Sequence, residues 1–250
     1  MLSLDDITAG YGDRTLISGA TATLRLGELV GLLGANGAGK STLLKIMSGR
    51  LAPLSGTVTV GGRDITRLSG RDMALRVALV TTGRPGAGAL TVSEVVAMGR
   101  YPHTGFFGRL SADDRRIASA ALADVGMTGF ADKQMSTLSD GEAQKVMIAR
   151  ALAQDTPVIL LDEPTAFLDA ASRIETLDLL RHLAATRSKA ILLSTHDIAP
   201  VLRRADRLWL VHDGRLVTGA PAALADDADG LPALFAGRGV RFNAGIGDFE

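Results

Sequence analysis

The apolar positions of this chain switch between the two-residue period of strands and the longer period of helices. Residues 2–8 alternate apolar and polar, as a half-buried strand does, and Ala9-Gly10-Tyr11-Gly12-Asp13 is expected to break that strand. A second strand-like stretch runs to Leu26, and Gly27-Glu28 turns the chain into Leu29-Val30-Gly31-Leu32-Leu33, a short buried strand. Ser41 to Met47 reads as a helix that ends near Gly49. Ser55 to Ile65 reads as a hairpin turning at Gly61-Gly62, and Val77 to Thr81 as another short apolar strand.

From about Gly83 to Ala153 the strand period vanishes and helical spacing takes over. Three S/T-x-x-[DE] sequences mark helix starts there: Thr91 with Glu94, Ser111 with Asp114, and Ser139 with Glu142. Beyond them, Val158-Ile159-Leu160-Leu161 is continuously apolar, the pattern of a central parallel strand. Ala170 to Thr186 reads as an amphipathic helix and Ala190 to Ser194 as the next core strand. Leu208–Val211 and Leu216-Val217 form a hairpin closed by Asp213-Gly214. The expected fold is α/β: a core with a parallel central sheet, an N-terminal antiparallel β subdomain and an inserted helical subdomain. The expected boundaries are residues 1–82 and 154–218 for the core with its β subdomain, 83–153 for the helical subdomain and 219–250 for a C-terminal extension expected to pack on the core.

Candidate chemistry concentrates where the pattern changes. Gly34-Ala35-Asn36-Gly37-Ala38-Gly39-Lys40-Ser41-Thr42 fits G-x-x-x-x-G-K-[ST] between a strand and a helix. Glycines let such a loop aim several backbone N–H groups at one point, and the helix start adds partial positive charge. Lys40 supplies a full charge, and the Ser41 hydroxyl suits Mg²⁺. The bland alternative is a Gly-rich turn. Asp162 and Glu163 end the 158–161 strand, where parallel sheets place ligands. Asp162 suits Mg²⁺, and Glu163 suits a base taking a proton from water; a solvated strand end has the same look. His196 ends the neighbouring strand, within reach of the same place or simply at the surface.

Composition narrows the classes. With 250 residues and 46% hydrophobic residues, the chain can bury a large core. Lys plus Arg equals Asp plus Glu at 27 each, which gives no support to a broad nucleic-acid footprint. There is no cysteine, so disulfides and thiolate metal sites are excluded. No apolar run approaches the length of about 18 residues that reads as a membrane-spanning helix, and the start at Met1-Leu2-Ser3 lacks the pattern of a signal peptide.

Taken in order, Tyr11, the Gly34–Thr42 loop, Leu138-Ser139-Asp140-Gly141-Glu142, Val158–Glu163, Leu168-Asp169 and His196 resemble the motif series of ABC-type ATPases over nearly the whole chain. The resemblance implies an ATP- and Mg²⁺-dependent hydrolase acting as a head-to-tail homodimer. Each ATP would lie between the Gly34, Ala35, Asn36, Gly37, Ala38, Gly39, Lys40, Ser41, Thr42 loop of one copy and Ser139 and Gly141 of the other. Tyr11 would stack on adenine, although a tyrosine also suits an exposed loop. Asp169 would stand in the loop that couples the two sites. Glu163 and His196 would be the catalytic residues, and Ser41 and Asp162 the metal ligands.

Two positions depart from the family pattern. Thr82 aligns with a glutamine that usually touches the metal, so Thr82 is the expected but shorter metal contact. Asp140 and Glu142 stand where glycine and glutamine are commonest, and Asp140 brings negative charge near an anion site. Leu90 to His103 is similar to a segment of ATP-binding subunits of iron–siderophore, haem and cobalamin importers. That implies a peripheral subunit at the cytoplasmic face of the inner membrane, a permease dimer contacted through Tyr101 and His103, a separate substrate-binding protein, and no nucleic-acid partner. A non-transport ABC ATPase and a nucleotide-switched regulator are the competing classes.

Overall fold

A computed structural model describes residues 1–82, 89–105, 107–227, 229–235, 242–243 and 248–249. The chain opens with β1 (Leu2–Tyr11), β2 (Arg14–Leu24) and β3 (Leu29–Gly34), followed by α1 (Lys40–Met47). A hairpin of β4 (Ser55–Val60) and β5 (Arg63–Asp64), a short α2 (Gly70–Ala74) and β6 (Val77–Val80) come next. The helical stretch holds α3 (Val92–Ala97), α4 (Ala112–Asp124) and α5 (Asp140–Ala153). It is followed by β7 (Val158–Asp162), α6 (Ala170–Thr186), β8 (Ala190–Thr195), α7 (Ile198–Leu202), β9 (Arg207–His212), β10 (Arg215–Gly219) and α8 (Pro221–Asp226).

Two sheets organise these elements. The first is antiparallel and four-stranded, in the order β2-β1-β4-β5. The second is six-stranded, in the order β10-β9-β3-β8-β7-β6, and parallel except for the β9–β10 hairpin. Alternation along the parallel strands divides the core in two. Leu29, Leu33, Ile159, Leu161, Ile191 and Leu193 face a layer that includes α3, α4, α5 and α6. Val30, Leu32, Leu160, Leu192 and Trp209 face α1 and the antiparallel sheet. Burying each such side chain contributes about 1.5–3 kcal/mol, so both covering layers are held by the same strands. The helical stretch therefore shares one apolar cluster with the sheet.

β1 does not break at Ala9 as its sequence suggested; it runs to Tyr11 and turns only at Gly12-Asp13. Register shifts between Leu4 and Ile7, Ile7 and Ala9, and Ala9 and Gly10 absorb the irregular spacing, with Asp6 in the left-handed region at φ 50°. The Gly61-Gly62 turn has φ values of 57° and 75°, as a tight hairpin between β4 and β5 requires. In the C-terminal stretch, Leu224 and Leu231 are buried in the sheet-and-helix cluster. The 83–88 junction and residues 228, 236–241, 244–247 and 250 lie outside the described residues.

All three expected capping boxes form. At α4, Asp114 accepts from the Ser111 hydroxyl and the Ser111 N–H, and also from Arg100 Nε at 2.9 Å. Arg100 is buried and donates a second bond to the Ala153 carbonyl at 2.8 Å, pinning α4 to α5. The Ser111 hydrogen bonds, with Arg100 adding to them, lower the Asp114 pKa from 3.8 to about 2. A depressed carboxylate pKa stabilises the fold above the unfolded value, and that contribution is lost as pH falls from 3.8 towards about 2. Asp114→Asn leaves Arg100 buried without its counter-charge and is expected to cost about 2–3 kcal/mol at pH 7. Thermal denaturation against pH should show the variant and the parent converging at the acid end of that window and separating above pH 4.

Candidate active site

The site forms where β3, β7 and β8 end side by side. Parallel register sets Leu33 against Thr195 and Asp162 against Ser194, so three strand ends deliver their next residues to one edge. From β3 the 34–42 loop curls into α1. Gly39 holds the turn at φ 107°, which an L side chain resists, and the helix begins at Lys40. Lys40 is buried, and Nζ donates to the Gly34 carbonyl at 2.8 Å and the Ala35 carbonyl at 3.2 Å. Burial pushes its pKa down, against the opposing pull of Glu163 and Asp162. The ammonium is thus folded over its own loop, ready to exchange those carbonyls for an anion.

Asp162 receives two hydroxyls on the same oxygen. Ser41 donates to Oδ1 at 3.0 Å and Ser194 at 2.7 Å. The Glu163 N–H in turn donates to Ser194 Oγ at 3.0 Å. Glu163 adopts φ 47°, a strained value for a residue other than glycine, which turns its carboxylate out of the strand direction. Oε2 lies 3.4 Å from His196 Nδ1, and both side chains line a cleft of about 520 Å³ that includes Asn36, Lys40 and Thr42. Tyr11 stands at its mouth, 46% exposed, with its hydroxyl accepting from Thr42 Oγ1 at 3.4 Å. That bond holds the Tyr11 phenol below its ordinary pKa.

The structure thus gathers Tyr11, the loop, Asp162, Glu163 and His196. Ser194 was missed by the sequence reading; the available signal was that the apolar run of β8 ends in the polar pair Ser194-Thr195. Thr82 is at this edge, but its hydroxyl donates to the Asp162 main-chain carbonyl at 2.8 Å. It is the preceding Thr81 that lines a second cleft with Ser41 and Asp162. Both threonines lie past the end of β6 at Val80, where the chain leaves the strand, so their directions are set by that exit.

Ser139, Gly141 and Asp169 lie away from the loop cleft, whose lining contains none of them. Ser139 caps α5, accepting from the Glu142 N–H at 3.3 Å, while its own N–H and hydroxyl both donate to Glu142 Oε2 at 2.8 Å. These bonds hold the Glu142 pKa below its ordinary value. Asp169 caps α6 through the Ser172 N–H, which lowers its pKa in the same way. A side-chain atom added at Gly141 would meet Ser172 Oγ at 3.3 Å, so the starts of α5 and α6 abut.

Over residues 17–166 the chain matches the ABC transporter family. The chain belongs to that family. ATP-binding subunits of ABC transporters are ATPases coupled to transport. An achromobactin transport ATP-binding protein of Dickeya dadantii is 40% identical over 224 residues, 89% of this chain and 83% of its own. A cobalamin import ATP-binding protein of Halobacterium salinarum is 44% identical over 204 residues, 81% of this chain but 51% of its own length. Among solved structures, an inward-facing ABC transporter assigned to the metal-chelate type matches with a TM-score of 0.82 at 29% identity, covering 94% of this chain and 88% of that one.

Ser194 is the test of this geometry. Ser194→Ala removes the acceptor of the Glu163 N–H and one of the two donors to Asp162. Hydrogen bonds to charged groups contribute about 1.5–3 kcal/mol, so ATP turnover should fall about tenfold or more while the KM for ATP changes little. Steady-state ATPase assays on the variant check it.

Proposed function

We propose that this chain is the ATP-hydrolysing subunit of a membrane importer for an iron chelate, such as an iron–siderophore complex, or a related metal chelate such as haem or cobalamin. The observation that carries the reading is the convergence of the folded-back Lys40, the Ser41–Asp162 pair and the strained Glu163 in one cleft. The achromobactin and cobalamin relatives support the choice of cargo class.

Gly34, Gly37, Gly39 and the intervening Ala35, Asn36 and Ala38 offer main-chain N–H groups to the ATP phosphates, with Lys40 and Thr42 beside them and Tyr11 against the adenine. The donor set fits Mg²⁺: a hydroxyl and a carboxylate, both hard oxygen ligands, lie 3.0 Å apart at Ser41 and Asp162. Ser41 and Asp162 would hold the ion, which when bound neutralises phosphate charge. Thr82 lines neither cleft that holds Ser41, so it would join them only by turning its side chain. Glu163 takes a proton from the water that attacks the γ-phosphorus; the new P–O bond forms as the bond to the ADP oxygen breaks. His196, against the Glu163 carboxylate, orients it and faces the γ-phosphate.

Ser139, Gly141 and Asp169 are half of a second site, completed by another copy paired head-to-tail about a two-fold axis. We read residues 1–82 and 154–218 as the core with its β subdomain, 83–153 as the helical subdomain and 219–250 as a C-terminal extension. A groove of about 500 Å³ between core and helical layer, with Tyr101 on its rim, fits a permease segment at the cytoplasmic membrane face. His103 is instead bonded to the Gln154 carbonyl at 2.9 Å and sets the rim's shape. No helix among the described residues is long and apolar enough to cross a membrane, so attachment falls to that groove. A separate binding protein would deliver the chelate to the permease.

Glu163→Gln should lower ATP turnover about a hundredfold or more, the usual contribution of a general base, while ATP-dependent pairing of two copies persists. Turnover assays with sedimentation, and recovery of a permease with the tagged chain from membranes, check both halves. A variant that hydrolyses ATP at the parent rate would refute the assignment.

A further inference from the structure

β8 ends at Thr195, and His196 and Asp197 follow it directly. Asp197 holds the N-cap position of α7, where an aspartate ordinarily accepts an N–H of its own helix. Its side chain makes no such bond. Ser69, Thr91, Ser111, Ser139 and Asp169 all do so at their own helix starts. The Asp197 carboxylate turns instead to Arg173 on α6, whose guanidinium donates to Oδ2 at 2.9 Å. The Asp197 N–H donates to Thr195 Oγ1 at 3.0 Å. The residue after His196 is therefore anchored by both its main chain and its side chain.

Arg173 makes a second bond. Its Nε donates to the Leu168 main-chain carbonyl at 2.8 Å, reaching back five residues past the start of its own helix. Leu168 is buried and ends the short segment that follows Glu163. Two turns shape that segment: the Ala166 N–H donates to the Glu163 carbonyl and the Leu168 N–H to the Thr165 carbonyl, each at 3.2 Å. One side chain thus joins the segment after Glu163 to the residue after His196, and those two side chains stand 3.4 Å apart, Oε2 to Nδ1. A guanidinium presents N–H groups on separate nitrogens in a rigid fork, which suits two acceptors from different elements. Arg173 and Asp197 are 37% and 31% exposed, a setting in which an ion pair adds little to stability. What the pair supplies is placement.

We propose that Arg173 is a positioning residue for hydrolysis: by bonding Leu168 and Asp197 at once, it fixes His196 against the Glu163 carboxylate. A displacement of residues 164–168 reaches His196 through that side chain, without passing through the 34–42 loop. Phe167, beside the bonded carbonyl, is exposed, so the segment is open to contact from a second copy. This inference rests on the proposed roles of Glu163 and His196. If Glu163→Gln keeps the parent rate, that reading fails, whatever Arg173 does; if Glu163→Gln is slow and Arg173→Met is not, only this inference fails.

The experiment is a double-mutant cycle on the full chain, with kcat and the KM for ATP as readouts. Arg173→Met keeps length without the donors, and Asp197→Ala removes the acceptor from the other end. Each is expected to lower kcat about fivefold to tenfold, with KM within twofold. Arg173→Met already breaks the bond that Asp197→Ala breaks, so the double variant should lose no more than Arg173→Met alone. Losses that multiply, or an Arg173→Met chain with kcat within twofold of the parent, would overturn the proposal. Ring NMR of the histidine-labelled chain, which has four histidines, reads the placement itself. The His196 signal, assigned by its loss in His196→Gln, is expected to move in both Arg173→Met and Asp197→Ala; a signal unchanged in both would contradict the proposal.

Discussion

One oxygen of Asp162 accepts from two serines that are far apart in sequence, Ser41 on the loop helix and Ser194 on β8. That convergence is possible only because β3, β8 and β7 are parallel and in register, so their ends reach the same edge. Ser194 has no solvent contact, and it passes the constraint on by accepting the Glu163 N–H. The loop helix, Asp162 and Glu163 therefore share a single hydrogen-bonded unit. Shifting β8 by one residue against its neighbours would turn Ser194 to the other face of the sheet and dissolve the unit.

Charge balance in the cleft follows from the same packing. The buried Lys40 ammonium finds its partners in its own loop's carbonyls, with the two acids opposing the cost of its burial. An arriving triphosphate exchanges those carbonyls for stronger, charge-assisted bonds. At the start of α5 the exchange runs differently. An anion reaching Ser139 competes with the Glu142 carboxylate for the same N–H and hydroxyl, both already donated at 2.8 Å. The two anion sites of the proposed pair thus start from opposite electrostatics, one poised by a cation and the other already occupied by a fixed carboxylate.

Features set by local sequence were legible in advance. The glycine-marked loop, the hairpin turns and the capping boxes rest on contacts within a few residues, and the central strands show as continuous apolar runs; all of them form where their patterns lie. The extension of β1 to Tyr11 was not legible, because bulges are specified by pairing with β2 and β4 and not by β1 alone. α2 escaped for a related reason: five residues are too few for a period, and only its Ser69 cap marks it. Within the site, Lys40, Asp162 and Glu163 could be read from motif and strand position. Ser194 could not, since its role exists only once β7 and β8 are paired. The directions of Thr81 and Thr82 likewise depend on how the chain leaves β6 beside the end of β7.

The exposed surfaces carry the same logic outward. Phe167 is 69% exposed beside the Asp169 cap, and Ile174 is exposed on the first turns of the helix that cap begins. Both stand where the starts of α5 and α6 abut. In the head-to-tail arrangement, Ser139, Gly141 and Asp169 would meet the partner's loop, and these side chains would add apolar area to the seam that a few polar contacts alone would lack.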